Sequence, residues 1–124
     1  MQIRIRKEDL ERARHAKALI EKDYSRHLTY QTLAHLVGTN ITKLQSSFRE
    51  LTGKNLYEYL TVIRIEEAIR LLESTEFTID AIAYKVGLDR TNLNKQFKKL
   101  KGKSPSDWRY EHENSNKPPI SKSG

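Results

Sequence analysis

The chain is built on an internal repeat. Shifting the sequence by 49 residues superposes Thr29 on Thr78, Ala34 on Ala83, Val37 on Val86 and Gly38 on Gly87. The same shift matches Thr42 with Thr91, Leu44 with Leu93, Phe48 with Phe97, Leu51 with Leu100, Gly53 with Gly102 and Lys54 with Lys103. That makes ten identities over 26 ungapped positions, with Leu33/Ile82, Asn40/Asp89, Gln45/Asn94 and Arg49/Lys98 as near-matches. Two copies are too few for a solenoid, so one motif is used twice.

Each copy carries the same signals in the same order. Thr29 and Thr78 suit the cap of a helix whose first N–H groups need an acceptor. A short helix follows, with Leu33, Ala34 and Val37 apolar in one copy and Ile82, Ala83 and Val86 in the other. Ala34 and Ala83 are small where two helices must cross closely. Gly38 and Gly87 then stand where a left-handed backbone favours glycine. Asn40 and Asp89 can cap a second helix within two residues, which makes the unit a helix-turn-helix. The second helix is expected to bury Ile41, Leu44, Phe48 and Leu51 in copy one, and Leu93, Phe97 and Leu100 in copy two. Gly53 and Gly102 end it.

That burial leaves Thr42, Lys43, Gln45, Ser46 and Arg49 outward in copy one. In copy two the outward residues are Arg90, Thr91, Asn92, Asn94, Lys95 and Lys98. Hydroxyls, amides and cations are the groups that read base edges or grip phosphates. Two acid-poor faces of this kind argue against ordinary solvated helix surfaces.

Charge points the same way. The net charge is +7, yet residues 1–84 hold 13 basic and 12 acidic groups. The excess sits in residues 85–103, where Lys85, Arg90, Lys95, Lys98, Lys99, Lys101 and Lys103 face Asp89 alone. A block of that density suits a polyanion, most simply nucleic acid.

Apolar spacing is helical almost throughout, so the fold class is all-α. Residues 1–6 read as a flexible arm and residues 7–54 as the first helix-turn-helix subdomain, opened by a helix over Lys7–Glu21. Residues 55–73 read as a linker helix, capped by Asn55 and running over Leu56–Glu73. Residues 74–113 read as the second subdomain, and 114–124, with Pro118-Pro119, as a disordered tail. Eighteen helical residues span about 27 Å, against the ~34 Å between successive major-groove entries on one face of B-DNA. The linker is therefore expected to phase the two units on one duplex.

Other chemistry has little support. The chain has no cysteine, which removes disulfides, thiolate zinc sites and a cysteine nucleophile. His15, His27, His35 and His112 are scattered without metal-ligand spacing, Glu66-Glu67 lies on the linker helix without a convergent partner, and there is no glycine-rich phosphate loop. No catalytic residue, metal or cofactor is expected. Tyr59 and Trp108, equivalent across the repeat, suit core anchors. No run of 18 apolar residues occurs, so a soluble cytoplasmic protein without membrane contact is expected.

Three strings, Arg64–Leu72, Ile79–Leu88 and Phe97–Trp108, are similar to those of the AraC/XylS family of bacterial transcription regulators, and the resemblance covers Lys7–Glu111. It implies an all-α domain of about seven helices that binds double-stranded promoter DNA in adjacent major grooves and contacts RNA polymerase, usually to activate transcription. Carried over by position, base contacts fall on Thr42, Gln45 and Ser46, and on Arg90, Thr91 and Lys95, with Arg49 and Asn94 as neighbours. Phosphate contacts fall on Lys43, Lys85 and Lys98, with backbone donors near Thr29 and Thr78. Asn55-Leu56 stands where many members have Ser-Pro, and the stretch from Gly87 to Phe97 is a residue shorter than in many. A monomer is expected. The rival classes are a non-specific architectural DNA-binding protein and a helical protein-interaction module.

Overall fold

The computed structural model describes residues 4–26 and 28–116. Residues 1–3 of the expected arm, His27 and the expected tail from 117 onward lie outside them. Seven α-helices make up the described chain: α1 (Lys7–Lys22), α2 (Tyr30–Val37), α3 (Ile41–Thr52), α4 (Leu56–Ser74), α5 (Ile79–Lys85), α6 (Arg90–Lys101) and α7 (Pro105–Asn116). The fold is all-α, with no strand among the described residues. α7 runs to Asn116, past the expected boundary at 113.

The capping chemistry is the one the repeat announces. Thr29 Oγ1 accepts the Thr32 N–H at 3.1 Å, and Thr78 Oγ1 accepts the Ala81 N–H at 3.1 Å. Asn40 Oδ1 accepts from Lys43 N at 2.9 Å, and Asp89 Oδ1 from Asn92 N at 2.7 Å. Each bond satisfies a donor that a helix start leaves without a partner. Gly38 (φ 79) and Gly87 (φ 85) make the turns between the paired helices in a left-handed conformation. Asn55 and Glu58 form a reciprocal box at the start of α4, each accepting the other's backbone N–H.

Packing divides the chain into two compact units, Met1–Arg64 and Ile65–Gly124. The long helix is thus shared between the units, where the sequence suggested a separate linker over 55–73. In unit 1 the core joins Ala16 and Ile20 of α1, Leu33, Ala34 and Val37 of α2, Leu44 and Phe48 of α3, and Leu56 and Leu60 of α4. In unit 2 Ile65, Ala68, Leu71 and Leu72 of α4 are buried, as are Ile82, Ala83, Leu93 and Phe97 of α5 and α6. The repeat recurs as a ring pair. Tyr59 stands edge-on to Phe48 at 5.4 Å, and Trp108 edge-on to Phe97 at 5.6 Å. Both anchors bond outward at their polar ends, Tyr59 to Glu21 and Trp108 to Glu73.

Each unit also has an arginine that ties a loop to its core. Arg64, on α4, donates from Nε to the Tyr24 carbonyl at 2.8 Å and from its terminal nitrogen to the Arg26 carbonyl at 3.2 Å. Burial pushes its pKa down, but a guanidinium starts so high that it stays charged. Arg109, on α7, donates to the carbonyls of Leu72, Phe77 and Thr75. These bonds hold the approaches to α2 and α5.

Candidate nucleic-acid interface

In α3 the core side is taken by Leu44, Ser47 and Phe48. Ser47 is tolerated there because its hydroxyl donates to the Lys43 carbonyl at 2.7 Å. In α6 the buried residues are Leu93 and Phe97. Opposite the core, Thr42, Gln45, Ser46 and Arg49 follow one another at i, i+3, i+4 and i+7, as do Thr91, Asn94, Lys95 and Lys98. This spacing puts each set on one helical stripe. All eight are exposed except Ser46, which is half-buried, and neither stripe contains an acid. Arg90, at the first position of α6, is exposed beside the second stripe.

The structure also shows how much of the basic block is already committed within unit 2. Lys101 bonds Glu66 at 3.0 Å, and Lys103 pairs with Glu111. Lys85 lies over the Phe77 ring at 4.7 Å. Arg90 approaches the Asp80 carboxylate at 3.6 Å. Lys95 and Lys98 are exposed and join none of the ion pairs found among the described residues. The effective cationic surface of unit 2 is therefore centred on α6, within the wider block.

The helix-turn-helix domain family model matches residues 33–111. The chain is 30% identical to the C-terminal domain of AraT, a response regulator from Geobacillus stearothermophilus, over 91% of this chain and 90% of that one, with a TM-score of 0.78. It belongs to the AraC family. The C-terminal domain of the two-component response regulator yesN from Fusobacterium nucleatum is 28% identical over 77% of this chain and 95% of that one, with a TM-score of 0.73. The DNA-binding domain of AdpA, solved in complex with a target DNA, shares the fold at a TM-score of 0.80 and 24% identity, covering 84% of this chain and 95% of that one. No curated protein matches. AraC-family membership makes the chain a DNA-binding transcription regulator. Among the described residues, no helix is long and apolar enough to cross a membrane.

Within this AraC-family domain several expectations need adjustment. Ile41 and Leu100, expected in the core, are 41% and 43% exposed, and Leu51 is half-buried. A helix buries a limited arc at ~100° per residue. Ser47, Leu44 and Phe48 fill that arc in α3, leaving Ile41 on its flank, while Leu100 lies in the last turn of α6. Lys43 is half-buried, and its ammonium stands 4.0 Å from Asp9, a carboxylate only 3% exposed. Asp9 also accepts the Arg6 N–H at 2.9 Å and has Arg12 at 3.8 Å. Lys43 is thus held from below by its own unit. Thr29 and Thr78 keep their hydroxyls for their own helix starts, so any role for them in gripping phosphate falls to backbone N–H groups. At α5 the acid Asp80 sits in that first turn, whereas α2 has none. The sequence gives no sign of Asp9 and Asp80 as partners of these cations, because both pairs join different helices.

Proposed function

We propose that the chain binds double-stranded promoter DNA in a sequence-specific manner, with α3 and α6 entering adjacent major grooves, and that it does so as a monomer. Thr42, Gln45, Ser46 and Arg49 read bases in one groove, and Arg90, Thr91, Asn94 and Lys95 in the next. Lys43, Lys85 and Lys98 neutralise phosphates, joined by backbone donors at the starts of α2 and α5. Contact with RNA polymerase, leading to activation, follows the pattern of the AraC/XylS resemblance. The observation that carries the reading is the pair of acid-free stripes at i, i+3, i+4, i+7 on α3 and α6. Amides and guanidinium groups match the paired donors and acceptors of base edges.

Single substitutions separate the roles. Alanine at Arg90, Lys95 or Gln45 should cost about 1–3 kcal/mol on the preferred site and relax the choice of base at one or two positions. An equal loss on preferred and random duplexes would make that residue a phosphate contact. Lys98→Ala should weaken all duplexes alike and make the salt dependence shallower by about one in log–log slope. A changed base preference with an unchanged slope would contradict the assignment of Lys98.

A further inference from the structure

An isoleucine opening a short amphipathic helix ordinarily belongs to the core. Ile41 does not: it is the first residue of α3, and 41% of its surface is open. Its neighbour four positions on is Gln45, also exposed, and residues four apart lie side by side on a helix surface. Ile41 therefore borders the reading stripe.

The repeat makes this placement meaningful. The 49-residue shift puts Ile41 on Arg90 and Gln31 on Asp80. In unit 2 those two positions hold an ion pair, with 57% of the Arg90 side chain exposed. In unit 1 both positions are uncharged. The register occupied by Ile41 and Arg90 is thus a surface register in both copies. It opens the second helix of each motif, and only the chemistry differs. A cation there suits guanine, whose major-groove edge offers two acceptors. A bare branched alkyl group has one apolar partner in that groove, the C5-methyl of thymine.

We propose that Ile41 is a specificity-determining residue that reads a thymine methyl in the first half-site. The inference rests on the DNA-binding reading above. Gln45 beside it favours adenine, so Ile41 and Gln45 together select an A·T-containing step. Arg90 at the matching place directs the second half-site toward guanine.

The test starts from sites selected by the parent chain from a random duplex library. Thymines in the first half-site are then replaced one at a time by uracil, which removes only the C5-methyl. One replacement should lower affinity of the parent about fourfold, the factor carried by one buried methyl group. Ile41→Ala should already have lost that factor and be indifferent to the same replacement. Ile41→Arg, put through a fresh selection, should exchange thymine for guanine at that position. Indifference of the parent to every uracil, retention of the uracil effect by Ile41→Ala, or an unchanged base choice by Ile41→Arg would each overturn the assignment. A library from which no site emerges would instead overturn the DNA-binding reading beneath it.

Discussion

Inserting two alanines between Arg64 and Ile65 should reduce affinity for a full site to that of a single half-site, a loss of roughly 10²-fold or more. The helix α4 runs unbroken from Leu56 to Ser74, while packing divides the chain at Arg64/Ile65. The insertion therefore falls where neither unit's core is interrupted. Alanine is the best helix former, so the helix should continue through it. Each added residue turns the downstream half of the helix by about 100°, so two rotate one reading helix by about 200° relative to its former phase. DNA fixes the phase of its grooves, and only one of the two readers can then dock. Circular dichroism and thermal unfolding establish that the variant is folded. Full-site affinity equal to that of the parent, with the same footprint, would show that α4 does not phase the readers.

The second large effect is on stability. Phe97→Ala should destabilise unit 2 by about 3–5 kcal/mol, the usual cost of emptying a buried phenylalanine site. Phe97 is fully buried and meets Trp108 edge-on at 5.6 Å. Trp108 is the single tryptophan of the chain, so its fluorescence reports unit 2. The fluorescence melting midpoint should fall by more than about 10 °C, given the few degrees that each kcal/mol moves a domain of this size. Phe97→Leu should recover more than half of the loss because most of the volume is kept. A shift of only a few degrees for Phe97→Ala would mean that the ring pair is not the anchor of unit 2.

Much of this architecture was legible in the sequence because its signals are local. A threonine, asparagine or aspartate at a helix start acts on an N–H a few residues away. A glycine in the turn acts on its own backbone. The 49-residue repeat then tied two such series together. What escaped was set by tertiary contact. Nothing in the order of residues says that Arg64 reaches the Tyr24 and Arg26 carbonyls, or that Arg109 holds three carbonyls before α5. Hydrophobicity alone assigns Ile41 to the core, whereas it stands at the first position of α3, on the flank of the arc that Leu44, Ser47 and Phe48 bury. The charge block of residues 85–103 was correctly located, but carboxylates distant in sequence, Glu66 and Glu111, neutralise part of it. The stripe on α6 was legible from helical spacing. Which of its cations remain uncommitted was not.

Sequence-specific recognition of duplex DNA by the two stripes can be tested by a competition titration. Binding of the full chain to a duplex selected from a random library is measured against a random duplex of equal length, over a series of salt concentrations. The expected result is a preference of about 10³-fold or more for the selected duplex, with affinity for both falling as salt rises. Equal affinity for the two duplexes at every salt concentration would point to an architectural binder, and absence of binding to either would point to a protein-interaction module; each contradicts the claim.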